Sequence, residues 1–287
     1  MKRLLVGDPH IDEESISEIR EIFEEISSYE ADELYILGDF YDKKHPTSKE
    51  IHFGTGLITF LKTIYPQVYL LKGNHDQLDT NISSIDYLEW LPTKILSDEV
   101  KIGDILLGHF FVDKSEKAFN NFRYKLEDLE KQYKLIILGH QHSFQILSKQ
   151  AYHLGSIRYV SYGEVYDKCK KILIIDDFDN SLEFKELEDV IPMVEVTNSA
   201  DLDKLEPRTK VQLLINNFDT FKKEINTFGK WKDKFVKFKV KPNYSLLHNI
   251  DSKKLETKIL DWKESFNKWL NNIVDEDIKK ELKEVFE

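Results

Sequence analysis

Five short apolar runs punctuate the first part of the chain: RLLV (3–6), LYIL (34–37), VYLL (68–71), ILL (105–107) and LIIL (135–138). None alternates apolar with polar, so each reads as a strand covered on both faces. Between them, residues 13–28, 48–64 and 114–131 space their apolar positions three and four apart, which predicts amphipathic helices. Strands alternating with helices define an α/β pattern. Past about residue 177 the texture changes. VIPMVEV (190–196), KVQLLIN (210–216) and KFVKFKVK (234–241) read as strands with short helices between them, a small α+β unit. After Pro242 the pattern is helical. Leu255, Ile259, Trp262, Phe266, Trp269 and Ile273 recur at the spacing of one helix face, and Ile278, Leu282 and Val285 repeat it on a second, shorter helix.

Each of the five runs is followed, directly or after one residue, by a glycine and then a ligand-type side chain: GDPH (7–10), GDFYD (38–42), GNHD (73–76), GH (108–109) and GHQH (139–142). In an open α/β sheet, functional groups gather beyond the carboxyl ends of the strands. The five ends therefore deliver Asp8, His10, Asp39, Asn74, His109, His140 and His142 to one edge. Imidazole, carboxylate and amide oxygen without thiolate suit Mn²⁺, Fe²⁺ or Zn²⁺. Seven candidates exceed the needs of one ion, so two metals sharing a bridging carboxylate is the economical reading. Such a pair, ~3.5–4 Å apart, can lower the pKa of a water and stabilise an in-line displacement at phosphorus. Any one of these motifs alone is ordinary turn chemistry; their ordered recurrence at strand ends carries the inference.

The ordered set resembles the signature of the calcineurin-like metallophosphoesterases. That resemblance implies a two-sheet core sandwiched by helices, with the small α+β unit as a cap. It also implies Asp8, His10, Asp39 and His142 around one metal, and Asp39, Asn74, His109 and His140 around the other, Asp39 bridging. His75 matches the family's non-ligand histidine, placed to assist the leaving oxygen, with Asp42 orienting its imidazole. Two divalent ions, Mn²⁺ foremost, are the implied cofactors. Protein phosphatases of the family usually continue the second motif with arginine and glycine, and this chain does not. HLGSIRYVSYGEVYDKCKKILIID (153–176) is similar to the segment that closes the nuclease domain of SbcCD-type recombination nucleases. The implied boundaries are residues 1–182 for the phosphoesterase domain, 183–245 for a capping, DNA-binding domain and 246–287 for a helical docking segment. In the resembled nucleases such C-terminal helices grip an SMC-like coiled-coil ATPase. That ATPase is the expected partner, through Leu255, Ile259, Trp262, Phe266, Trp269 and Ile273, and a homodimer is compatible with it.

Charge sharpens the substrate question. The chain has 287 residues, 41% hydrophobic and 32% charged, with a net charge of −11, which argues against indiscriminate nucleic-acid binding by the whole surface. From Arg208 to Lys241, however, ten Lys or Arg stand against three Asp or Glu. In KFVKFKVK, alternation puts Val236, Phe238 and Val240 on one face and Lys237, Lys239 and Lys241 on the other, a row able to track a phosphate backbone. The bland alternative is an edge strand protected by lysine. Lys43 and Arg158 flank the site as candidate phosphate contacts, and Glu164 reads as structural. A single cysteine and no bilayer-length apolar run fit a cytoplasmic protein that does not enter a membrane. The expectation is a metal-dependent phosphodiesterase cleaving DNA, in recombination and repair; the alternative is hydrolysis of a small phosphorylated metabolite or nucleotide.

Overall fold

The computed structural model describes residues 1–79, 82–179, 181–216, 220, 228–242, 264, 267–268 and 270–271. The chain divides into two compact units, Met1–Val190 and Ile191–Glu287.

The first unit holds two sheets. One has β1 (Lys2–Val6), β2 (Glu33–Ile36), β3 (Gln67–Leu71), β4 (Lys94–Leu96), β10 (Lys171–Asp176) and β11 (Ser181–Glu186), in the order β11-β10-β1-β2-β3-β4. The other has β5 (Glu99–Ile102), β6 (Ile105–Gly108), β7 (Leu135–Leu138), β8 (Gln145–Ile146) and β9 (Ala151–His153), in the order β5-β6-β7-β9-β8. β1, β2 and β3 run parallel to one another, as do β6 and β7. Successive side chains point to opposite faces, so each central strand serves two cores. Leu5, Tyr35, Leu37 and Leu71 meet Leu107, Leu135 and Ile137 between the sheets. Leu4, Val6, Leu34 and Ile36 pack instead with Ile19, Ile22 and Phe23 of α1 (Ile16–Ile26) and Leu57, Ile58 and Leu61 of α2 (Ser48–Ile64). Leu106, Ile136 and Leu138 face the opposite side, with Leu126 and Leu129 of α3 (Leu126–Glu130). Burial on both faces explains why these strands read as unbroken apolar runs. The architecture is the expected mixed α/β core of two facing sheets flanked by helices.

Thr47 opens α2 with a reciprocal capping box: its side chain accepts from Glu50 N, and the Glu50 carboxylate accepts from Thr47 N. By contrast, the helix expected over residues 114–131 is a loop closed by a Val112–Tyr124 bridge, with helix only at Leu126–Glu130. Phe119 and Asn120 take φ of 42° and 70°, which ends any helical run. The first unit also extends past the expected boundary at 182, because β11 pairs along its full length with β10.

In the second unit β12 (Met193–Val196), β13 (Lys210–Ile215) and β14 (Lys237–Pro242) form a parallel sheet. Its core contains Val211, Leu213, Phe238 and Val240 with Phe228, Trp231 and Phe235 from a segment helical over 228–234. Leu270 is buried in the same core. Leu255, Ile259, Trp262, Phe266, Trp269 and Ile273, and the second short helix expected after them, lie outside the described residues.

Candidate metal centre

The loops leaving β1, β2, β3, β6 and β7 carry the seven expected ligands, and the packing of the two sheets brings these ends together. The backbone turns there are tight: His10, Asp39 and His140 have φ of 47°, 44° and 74°, a region that residues other than glycine rarely adopt. Gly38, at φ 104°, supplies a conformation that other residues resist. At Gly73 a Cβ would lie 2.1 Å from Asp39 Oδ1, so only glycine admits that carboxylate.

Two ligand groups result. Asp8, His10 and His142 offer donor atoms within 4.8 Å of one another, and so do Asp39, His109 and His140. Asn74 joins the second group, its Oδ1 3.1 Å from His109 Nε2. Asp39 touches both: its Oδ2 lies 3.1 Å from His109 Nε2 and 3.7 Å from His10 Nε2. One carboxylate oxygen facing an imidazole of each group is the geometry a bridging ligand requires.

The polar atoms of the site fit divalent cations. Asp8 Oδ1 and both ring nitrogens of His10 are buried without a hydrogen-bond partner, an arrangement costly unless something else satisfies them. His10 Nδ1 does lie 3.3 Å from Asp42 Oδ1, but not in hydrogen-bonding alignment. His109 Nδ1 is 2.7 Å from the Leu37 carbonyl, so it donates there. Its Nε2 then points at two oxygens, Asp39 Oδ2 and Asn74 Oδ1, as a metal-ligating nitrogen does. These residues would hold the ions in two groups sharing Asp39.

Electrostatics follow from burial. Burial opposes ionisation of Asp39, yet His109 and His10 outweigh it and hold the carboxyl well below its usual range. Burial likewise disfavours an imidazolium at His109, but Asp39 and Asp8 overcome it and raise its pKa to about 9. Partial burial, with His109 close by, lowers His140 to about 4. Burial raises Asp8 and lowers His10.

His75 is half-buried, its ring edge-on to His10 with centroids 5.0 Å apart. Asp42 does meet the His75 imidazole, through its main chain: His75 Nδ1 bonds the carbonyl of Asp42 at 2.5 Å, while the Asp42 carboxylate turns toward His10. His75 Nε2 is then the nitrogen left for proton transfer. His10, Asp42 and His75 also form a third close group of donors. Lys43 is exposed just beyond Asp42.

Arg158 is not placed for substrate. It is buried, with Nε donating to the Pro9 carbonyl at 3.1 Å and Nη2 donating to the His10 carbonyl and, at 2.7 Å, to Asp12. Three further residues support the site. Glu164 Oε1 accepts from His142 Nδ1 at 3.2 Å. Asp76 accepts from the backbone N–H groups of Phe40, Tyr41 and Gly73, tying the β2 and β3 loops together. His153 bridges the Gly139 carbonyl and Ser115 Oγ directly beneath the GHQH turn. The fixed place of Asp76 in GNHD was a usable signal; Glu164 had only its SYGE capping pattern. In the second unit Lys237, Lys239 and Lys241 share one face of β14, half-buried, while Phe238 and Val240 are buried on the other. Lys210 and Gln212 stand opposite Lys237 and Lys239 on β13.

Two buried imidazole–carboxylate groups joined through one aspartate, at the carboxyl ends of strands from two facing sheets, define a metal-dependent phosphoester hydrolase. The chain belongs to the calcineurin-like phosphoesterase family, whose profile matches residues 1–144. Among solved structures it is similar to a novel archaeal phosphodiesterase, at 18% identity and TM-score 0.38 over 65% of this chain and 100% of that one. It is also similar to a Vps29 variant from Entamoeba histolytica, at 15% identity and TM-score 0.39 over 66% of this chain and 100% of that one. A third is the nuclease MPE from Pseudomonas putida, at 16% identity and TM-score 0.33 over 52% of this chain and 66% of that one. A search of curated proteins found no match. Among the described residues, no helix is long and apolar enough to cross a membrane.

Proposed function

We propose that this protein is a two-metal phosphodiesterase that cleaves DNA. The observation that carries the reading is Asp39 Oδ2 facing His109 of one ligand group and His10 of the other. When bound, two divalent ions, Mn²⁺ by the donor set, supply an activated water and neutralise charge on the phosphoryl group. The chain's own residues do the rest. Asp8, Asp39 and the five ligand-type neighbours fix the ions, and His75, held through Nδ1 by the Asp42 carbonyl, presents Nε2 to protonate the leaving oxygen. The buried sheet beneath keeps these groups in register.

DNA is favoured over a small metabolite by the concentration of basic residues between Arg208 and Lys241 and by the row of Lys237, Lys239 and Lys241 on one strand face. The C-terminal apolar stripe supports docking on an SMC-like coiled-coil ATPase in recombination and repair. Leu270, buried in the second unit's own core, commits at least that position to the chain itself. The test is hydrolysis by the purified protein, with Mn²⁺, of labelled duplex DNA, single-stranded DNA and a chromogenic phosphodiester. Cleavage of DNA supports the reading; turnover of the small diester with intact DNA would favour a metabolite phosphoesterase.

A further inference from the structure

The two ligand groups are held from different parts of the chain. His109 is oriented by the Leu37 carbonyl and His140 packs against Phe111 with ring centroids 4.1 Å apart, both supports lying within residues 1–144. The histidines of the other group are held from beyond that span.

His142 is gripped at both ends. Its Nδ1 donates to Glu164 Oε1 at 3.2 Å, which leaves Nε2 as the ligand nitrogen. Its carbonyl accepts from Ser156 N at 2.9 Å and from Lys170 Nζ at 3.1 Å. Lys170 in turn donates to Glu164 Oε2 at 2.7 Å and to Asp167 Oδ2 at 2.9 Å. Glu164 is fully buried and Lys170 nearly so, and Glu164 Oε1 also accepts from Ser161 N at 2.8 Å. His10, whose backbone is in the left-handed region, is pinned by Arg158 through its own carbonyl and that of Pro9. Asp12 anchors the same guanidinium.

A buried ion pair of this kind is a poor way to gain stability, since desolvating both charges offsets most of their attraction. It is a good way to fix one imidazole in one tautomer and to place negative charge behind it. We propose that the segment from Ser156 to Lys170 is a one-sided clamp: Glu164, backed by Lys170, is a positioning residue that sets the affinity of the ion at Asp8, His10 and His142 and leaves the ion at Asp39, His109 and His140 unaffected. The inference rests on the two-ion reading of the site and goes beyond it, because it makes the two ions unequal in what holds them.

The test is stepwise Mn²⁺ binding to the metal-stripped full-length chain by calorimetry. Wild type should bind in two steps. Glu164→Gln should weaken one step by about 10- to 100-fold, the usual cost of losing a partner behind a metal-ligating histidine, and leave the other unchanged. Nitrogen NMR of His142 should show a single Nδ1-protonated tautomer in wild type and a mixture in the variant. Because Glu164→Gln leaves Lys170 with one carboxylate fewer and could impair folding, Lys170→Met and Lys170→Arg serve as a second pair. Methionine should reproduce the one-step loss and arginine should restore it. Equal weakening of both steps, or no weakening in a folded variant, would overturn the clamp. A single step in wild type would overturn the two-ion reading itself, and the clamp's selectivity with it.

Discussion

His109 Nε2 stands 3.1 Å from Asp39 Oδ2, with both side chains almost wholly withdrawn from solvent. This pair makes ion binding and proton release one event. The pKa of His109 is raised from 6.5 to about 9, against burial, by Asp39 and Asp8. In metal-free protein near neutral pH the ring therefore carries a proton that an entering cation must displace. Calorimetry in buffers of different ionisation enthalpy should show roughly one proton released from this residue, falling toward zero above pH 9. The sign for stability follows. A raised folded pKa stabilises fully below the unfolded value of 6.5 and loses that contribution as pH rises through about 9, so metal-free protein should melt at lower temperature across that window. Binding that is independent of pH over the same range would remove His109 from the ligand set.

Asp39→Asn should abolish hydrolysis and reduce metal content while the protein stays folded, because the residue serves both groups. Elemental analysis checks this. Two ions retained at full occupancy would mean that another residue bridges.

His75→Ala should behave differently. With Nδ1 on a carbonyl and no place in the two principal groups, His75 should be dispensable for metal and needed for proton transfer. Cleavage should fall by about 10²- to 10⁴-fold with metal content unchanged. Loss of an ion would instead assign it to the third donor group with His10 and Asp42.

Replacing Lys237, Lys239 and Lys241 together with glutamine should weaken duplex binding and flatten its dependence on salt, since each phosphate contact releases counterions. Hydrolysis of a small chromogenic diester should be nearly unaffected. Undiminished DNA affinity would leave the row as an ordinary strand face.

Arg158→Met should act on stability. The guanidinium is buried and satisfies two carbonyls and Asp12, so its loss should cost about 3 kcal/mol, read by urea denaturation. A variant as stable as wild type but with a raised KM for DNA would return Arg158 to the substrate.

What the sequence made legible was whatever short-range pattern controls. A doubly buried strand must be an unbroken apolar run, and a polar group at its end needs a glycine, so the strands that converge on the site and the seven candidate ligands they carry could be located in advance. The limits of α2 were equally plain. Residues 114–131 misled because Ala118, Phe122, Leu126 and Leu129 mimic helical spacing, while Ser115 turns its hydroxyl to His153 and Asn120 favours the left-handed region. Arg158 was misread, and the contact of Glu164 with His142 missed, for another reason. Their partners, His10 and His142, are distant along the chain, and no local pattern distinguishes a buried arginine gripping a loop from an exposed one awaiting phosphate. Asp42 shows the finest limit: its proximity to His75 was foreseeable, but whether its carboxylate or its carbonyl makes the contact is decided by the turn.

β1 lies between β2 and β10, so the strand that carries Asp8 and His10 gains its second neighbour only when the chain has been synthesised as far as residue 176. On the ribosome, the early βα units can collapse with β1 still open along one edge, an aggregation-prone condition that parallel sheets share. The same delay is protective. The groups that hold His10 and His142 emerge just before β10, so a nascent chain lacks these supports of its metal centre until its first unit is almost entirely made.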